Sequence, residues 1–581
     1  MYLFDSLHMA ANTMSASQLG IQVAGQNLAG VDVPGYAREQ LVLNTGTSRQ
    51  LGGGTVIGTG VQVSGVVQLI DRFLEERLRG SISDTTASMT QEKFYMDLEA
   101  LLGEYTGSGL TTMIDEFFNS IDNVVNKPED TSLRDMVVKN GLQLTQSINK
   151  LSYQIVDMQV DVNTQVENAA TEINRLLDDI HSLNNRIALI EGGAGQNKEA
   201  LGLRDQRLAA MTELAKLINV KTTEDENGQV TIYCGSDMLL SGGVKNKIIV
   251  NYTKDGSTDV TRATLYVERT GTKLDVRSGE VYGLYQGRDQ ILGGYAKQLN
   301  DFTYKLIGEF NRFYSSGQGL TGYRSLSSFE RIEQPEQPLS LAGLDYPIIS
   351  GGFNLVLEYG NTGTSREVYI PITVEESPAR DPFSLKPAPI VGGTTLQSLA
   401  DAISATGDVI AKVNTQGQLE ISATSTNVQF SFSKDTSGVL AALGINTFFT
   451  GTIGPTIGIN QTVVNDPGKF AASLGGIGHD VDNGVGLAAM VDTPNPNFGN
   501  QTVVQVYKSI INEISISGGT VKSIATSNEQ YQASLQVQRD AVSGVNPDEE
   551  TIMMMTYQRM YQASSKYISI INEMLTSLIN I

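Results

Sequence analysis

The densest run of possible metal ligands is His479-Asp480-Val481-Asp482-Asn483-Gly484. Oxygen donors at alternate positions ahead of a glycine are what a calcium loop requires. Here Gly484 stands one place early and no Glu follows at the twelfth position, so the run reads as a turn. Gly52-Gly53-Gly54-Thr55 lacks the Lys-Ser/Thr ending of a phosphate loop and reads as a flexible connection. His8 and His181 lie on helical stretches with no Cys or second His at ligand spacing. The acid pairs Asp178-Asp179 and Glu549-Glu550 are adjacent in sequence, so their side chains point to different faces of a helix and cannot act as one acid/base pair. Asp548, Glu549 and Glu550 follow Pro547 at a helix start, where negative charge meets the positive end of the helix dipole. Cys234, the one cysteine, closes the strand-like Val230 to Cys234 and is expected to fill core space. No catalytic, cofactor-binding or metal site is expected.

The residues whose spacing does carry information are apolar, and they lie at the two ends. Phe4, Leu7, Ala11, Met14, Ile21 and Leu28 recur at three- and four-residue steps. Met554, Tyr557, Tyr561, Ile568, Ile571, Leu575 and Leu578 do the same at the other end. Each set is one stripe of an amphipathic helix that must cover its seam with a partner helix. The natural partners are the other terminal helix and further copies of the chain, and the intermolecular seam is the expectation.

Composition fits an assembling protein. The chain has 581 residues, enough for three or four domains, a net charge of -22 and no Trp. That charge argues against nucleic-acid and anionic-membrane partners, which need a basic footprint. Charged residues make up 18%, below the roughly 25% usual for soluble chains, which leaves a surface rich in Ser, Thr, Asn and Gln. No apolar run reaches the roughly 18 residues of a membrane span. Residues 1 to 37 hold no Lys or Arg, so the basic region of a Sec signal peptide is missing. These rules alone place the protein in the cytoplasm unless export uses a signal they do not describe.

The elements between the ends alternate in period. The first helix should stop near Asn27-Leu28-Ala29-Gly30, ahead of the Pro34-Gly35 turn. Extended stretches follow at Gln40 to Leu43 and Val56 to Val67, and helix returns after Gln68. From Leu133 to Ile190 apolar residues keep helical spacing with no Pro, which implies a rod about 85 Å long. Gly192 to Gly195 should close it and Leu203 to Ile218 fold back as a shorter helix. Asp225-Glu226-Asn227-Gly228 signals a hairpin, with strands to about Gly279 and helix from Gln290 to Tyr314. Residues 325 to 500, rich in Pro and Gly, read as a mostly β insertion interrupted by a helix at Leu396 to Ala405. Helix resumes near Thr502, with breaks expected at Gly518-Gly519 and Ser543 to Pro547.

The expected fold is multidomain α+β: a discontinuous helical coiled-coil core from both termini plus long internal helices, with inserted mostly β domains. Residues 1–67 and 520–581 form the terminal assembly domain. Residues 68–220, 286–324 and 501–519 form the long-helix domain, 221–285 a small β domain, and 325–500 an outer β insertion.

Asn27-Leu28-Ala29 followed by Pro34-Gly35-Tyr36-Ala37-Arg38 resembles the amino-terminal signature of bacterial flagellar rod, hook and hook-associated proteins. Ser543 to Glu550, Tyr557 to Ser564 and the ending Leu578-Ile579-Asn580-Ile581 resemble the carboxy-terminal signature of the hook-associated protein 1 family. Leu203-Arg204-Asp205-Gln206-Arg207 and Ser437 to Ile445 are similar to internal segments of the same family. Val33 and Pro547 depart from the residues the family commonly carries there. Asn27, Pro34, Gly35, Tyr36 and Arg38 are its motif residues.

The resemblance implies a non-enzymatic structural protein of the flagellum, exported by the flagellar type III system to the junction between hook and filament. It also implies the partners: copies of itself in a ring, hook protein, a second junction protein, and a cytoplasmic export chaperone on the carboxy-terminal helix, with no nucleic acid and no membrane insertion. Against a hook subunit stands the Leu133 to Ile190 helix; against flagellin stands the Asn27 to Arg38 motif. A secreted enzyme would need a clustered polar site in 325–500, and the sequence shows none.

Overall fold

The computed structural model describes the chain except residues 1, 34, 47, 51–55, 59, 105–108, 193–199, 255–259, 361–362, 375–391, 479 and 580–581. The Gly52 to Thr55 connection, Pro34, His479 and most of the segment expected to close the long helix therefore lie outside the described residues. The helices are α1 (Tyr2–Gly30), α2 (Arg72–Leu102), α3 (Leu110–Asn126), α4 (Thr131–Glu191), α5 (Leu201–Leu217), α6 (Glu280–Gln286) and α7 (Gly293–Tyr314). They continue with α8 (Leu396–Ser404), α9 (Val439–Ala442), α10 (Gln461–Asn465), α11 (Asp482–Ala489), α12 (Val503–Ser543) and α13 (Pro547–Ile579). Long helices joined to small antiparallel sheets give a multidomain α+β chain. Among the described residues no helix is long and apolar enough to cross a membrane.

The chain separates into two compact units, the first comprising residues 1–94, 159–290 and 518–581, the second 95–158 and 291–517. α2, α4 and α12 contribute residues to both. α4 runs unbroken for 61 residues, about 90 Å at 1.5 Å per residue. α12 also runs unbroken through Gly518-Gly519. The expected break is absent because two glycines weaken a helix by only about 1 kcal/mol each and do not remove its hydrogen bonds.

In the first unit, Glu39–Thr45 pairs antiparallel with Val61–Gln68. A four-stranded meander (221–245) and a three-stranded sheet (248–273) lie against the later half of α4. Three asparagines on that helix dock the strands. Asn163 donates to the Thr261 carbonyl (2.6 Å) and accepts from Ala263 N (2.9 Å). Asn174 bonds both backbone groups of Ile248, and Asn184 both groups of Val230. Each carboxamide thereby satisfies a strand donor and acceptor that burial would otherwise orphan. The expected hairpin forms at Asp225 to Gln229. Cys234 is buried in its strand, and burial pushes its thiol up to about 12.

The second unit holds two bodies of packing. A β-rich body pairs 351–359 with 364–372 and 428–433, and 419–423 with 325–327 and 409–413, over a core that includes Phe353, Phe430, Phe432 and the α8 residues Leu399 and Ile403. Its last members are Leu443 and Ile445. Residues from Phe448 onward belong elsewhere. Phe448 and Phe449 pack with Phe117 of α3 and Phe310 of α7, and Phe448 also meets Tyr314 and Phe470. Asn311 accepts from the Phe448 and Phe449 amides and donates to the Phe449 carbonyl. Buried Arg134 reaches the Phe470 carbonyl at 2.6 Å. The 325–500 segment thus divides near 446: its first part is the β body, and its second is woven into the helices. Composition misses this because Pro- and Gly-rich chain serves equally as sheet turns and as a helix-lining wrap.

Asp480 spends its carboxylate on the amides of Leu474, Gly475 and Asp482, and Asn483 donates to the Ala471 carbonyl. That run is a turn closed by its own side chains.

Candidate assembly interface of the terminal helices

α1 and α13 pack against each other within one chain. The contacts of Gly20 with Tyr557 and of Asn27 with Glu550 make the pair antiparallel. On α13 the inward stripe is Glu550, Met554, Tyr557, Ser564, Ile568, Ile571 and Leu575, of which Glu550, Ser564 and Ile571 are buried and the others half-buried. Tyr561 and Leu578, on the same stripe, are exposed.

On α1 the buried positions are Ala10, Ala16, Ser17, Gly20, Val23, Ala24, Asn27 and Gly30. These lie about one residue before the apolar stripe read from the sequence. Phe4 (59%) and Leu28 (36%) are exposed, while Leu7, Ala11, Met14 and Ile21 are half-buried on the flank. Small residues face the partner because they let the helices approach closely. A Cβ at Gly20 would stand 2.6 Å from the Tyr557 ring, far inside contact distance. A hydrophobicity reading follows large side chains and overlooks a row of Ala, Ser and Gly.

The chain after α1 returns to the base of this pair and builds a polar hub. Asn27 is buried with all its hydrogen-bonding capacity used. Its amide donates to the Glu39 carbonyl (2.9 Å) and Glu550 Oε2 (3.0 Å), and its oxygen accepts from Tyr36 OH (2.8 Å) and Glu39 N (2.8 Å). Gly35 turns the chain with φ +80°, a left-handed conformation that a side chain resists, and Ala209 lies 3.1 Å from where its Cβ would be. Arg38 grips Glu550 with Nε (2.8 Å) and a terminal nitrogen (2.7 Å), and reaches Glu549 at 3.1 Å. Its amide donates to the Ser543 carbonyl at the end of α12. Arg539 links the Tyr36 carbonyl to Glu75 of α2. Asp205 of α5 accepts from Ala37 N (3.1 Å) and Gln68 (2.7 Å).

Burial pushes Asp205 up to about 6 against those two hydrogen bonds. Burial and then the Asp205 charge raise Glu39, and Glu39 Oε2 has no partner among the described residues. Burial, reinforced by the negative charges of Glu39, Asp205 and Glu550, raises Tyr36 well beyond its ordinary value. The phenol therefore stays protonated and remains a donor to Asn27. The hub's hydrogen bonds hold α1, α2, α5, α12 and α13 at one point.

Asn27, Gly35, Tyr36 and Arg38 are thus brought together, while Pro34 lies outside the described residues. Sequence reading missed Glu550's role, because an acid behind Pro547 looks like a dipole partner. Its burial is visible only once Arg38 and Asn27 arrive from more than 500 residues away. Arg539, Glu75 and Glu39 carry no local signal at all.

Replacing Glu550 by Ala should strand Asn27 and Arg38, costing the α1–α13 pair about 2–3 kcal/mol for the unpaired buried groups. Glu550→Gln, which keeps one acceptor oxygen, should cost less. Hydrogen exchange of α1 amides would measure both, and equal protection in the three proteins would show that the hub does not hold the pair.

Comparison with known proteins gives matches over the whole length of the chain. The model of the flagellar hook-associated protein FlgK helical domain matches residues 95–329, and that of the flagellar basal body rod FlgEFG protein C-terminal region matches 538–581. Flagellar hook-associated protein 1 of Salmonella typhimurium is 24% identical over 589 residues, covering 99% of each chain. The protein of the same name from Bacillus subtilis is 23% identical over 598 residues, covering 99% of this chain and 98% of its own. The flagellar hook junction protein FlgK from Burkholderia pseudomallei gives a TM-score of 0.49 at 13% identity, covering 81% of this chain and 100% of that one. With relatives matched from end to end and the Asn27–Arg38 motif joined to the carboxy-terminal helix, the chain is similar over its whole length to the flagellar hook-associated protein 1 family.

Proposed function

We propose that this protein is a structural, non-enzymatic element of the flagellum that forms the junction between hook and filament after type III export. The observation that carries the reading is the terminal pair itself. Its intrachain seam leaves a second apolar flank in solvent: Phe4 and Leu28 on α1, and Met553, Met560, Ile570 and Met574 on α13. The α13 residues 553, 560, 567 and 574 repeat every seven positions, the spacing of a further coiled-coil seam. Such a flank suits neighbouring copies in a ring, with hook protein on one side and a second junction protein on the other. Before export the same exposed flank needs a cover, the role of a cytoplasmic chaperone. The mature protein then resides in the extracellular flagellum.

Electron microscopy of cells lacking the protein tests this. Bare hooks, with filament subunits lost to the medium, are the expected outcome. Hooks that still carry filaments would overturn the reading.

A further inference from the structure

Away from the terminal helices, the first unit contains a cleft of about 460 Å³ between α2, α5 and the strands at Thr222 to Val230. Its walls combine apolar side chains, among them Ile70, Phe73 and Met211, with four arginines: Arg72, Arg79, Arg204 and Arg207. This concentration of cations stands out in a chain of net charge -22. The acids beside them are largely committed. Glu224 is shared by Arg72, Arg204 and Arg207, and Glu75 is paired with Arg539.

Arg79 is the exception. It is only 6% exposed, yet its one hydrogen bond among the described residues is to the Thr222 hydroxyl, at 3.1 Å. No ion pair forms to it there, and burial disfavours its charge more than nearby Glu75 and Glu76 sustain it. The buried Nε of Arg207, in the same wall, also lacks an acceptor among the described residues. A guanidinium fork held out of water without an anion is costly, and its geometry matches a planar carboxylate. Pockets with apolar walls and one or two placed polar groups are the usual form of a small-ligand site.

We infer that this cleft is a binding site for an organic carboxylate with an apolar stem, its oxygens on Arg79 and Thr222 and its stem against Ile70, Phe73 and Met211. The apolar wall and the single unpaired cation favour a monocarboxylate over phosphate. The carboxylate is either a free small molecule or an acidic side chain of a neighbouring subunit, and the latter source rests on the assembly reading above.

The full-length protein, ¹⁵N-labelled at arginine, should be titrated with hexanoate, hexanamide and inorganic phosphate while the arginine Nε resonances are followed. Hexanoate should move the Arg79 resonance along a saturating curve, and tenfold weaker curves should follow in Thr222→Val. Arg79→Lys, which keeps the charge, identifies the resonance by its loss; if that variant does not fold, the Met211→Leu wall variant should still alter the hexanoate curve. No saturable shift, or an equal response to hexanamide or phosphate, would overturn the site. Flagella of Arg79→Lys cells then separate the sources. Filaments that shear off more readily than wild type assign the carboxylate to a neighbouring subunit, and unchanged filaments assign it to a free ligand.

Discussion

Cells carrying Ile571→Asp together with Leu575→Asp should be non-motile, and the purified variant should bind the proposed export chaperone more weakly. Ile571 is fully buried against α1 and Leu575 half-buried on the same stripe. An aspartate at 571 loses the burial of the isoleucine and places a charge in a buried position against α1, a helix with no Lys or Arg, at a cost of at least about 3 kcal/mol. The hub at Asn27, Arg38 and Glu550 lies at the other end of the pair and cannot compensate. α1 and α13 should therefore part over their distal half while both units keep their cores.

A second pair, Ile570→Asp with Met574→Asp, separates the two seams. Those positions are exposed in the single chain, so the α1–α13 pair should survive while assembly and chaperone binding through that flank both weaken. Calorimetry with the chaperone, hydrogen exchange on α1 and a swimming assay read the three effects. Normal swimming of both double variants would remove the terminal helices from the assembly interface. Unchanged chaperone affinity in both would remove that partner from α13.

Deleting residues 323–445 and bridging the chain ends at Gly322 and Asn446 with a flexible linker should yield a folded, exported protein. Deleting 325–500 should not. The first deletion removes the β body together with its own core, which closes at Ile445. The cut ends are near one another, since the Tyr323 hydroxyl reaches Asn446 at 2.7 Å. The longer deletion also removes Phe448, Phe449 and Phe470 from the cluster around Phe117 and Phe310, and the carbonyl that Arg134 holds. Phe448→Ala alone should cost about 3–5 kcal/mol as a buried aromatic truncation. Cellular protein level, export and circular dichroism would check all three. Equal folding of the two deletions would place 446–500 outside the helical core.

The same residues separate what local pattern determines from what it leaves open. Period is a local property, so the unbroken α4, the hairpin at Asp225 to Gln229 and the two terminal helices were legible from spacing alone. So were the motif residues Asn27 and Arg38, as parts of a family resemblance. The phase of α1 was not, because its buried row is mostly Ala, Ser and Gly, and hydrophobic spacing weighs the large residues on its flank. The continuity of α12 through Gly518-Gly519 was not, because a helix penalty of about 1 kcal/mol per glycine is overridden by neighbouring turns.

Spacing and motif were therefore enough to locate the long helices and the resemblance to flagellar hook-associated protein 1. Four other features came only with the folded chain: which face of α1 meets α13, that Glu550 serves Asn27 and Arg38, that Asn163, Asn174 and Asn184 dock strands onto α4, and that residues 446–500 leave the β body. Each of these depends on groups tens to hundreds of residues apart. A hydrogen bond or a close contact of that kind is a property of the three-dimensional meeting, and neither partner carries its signature alone.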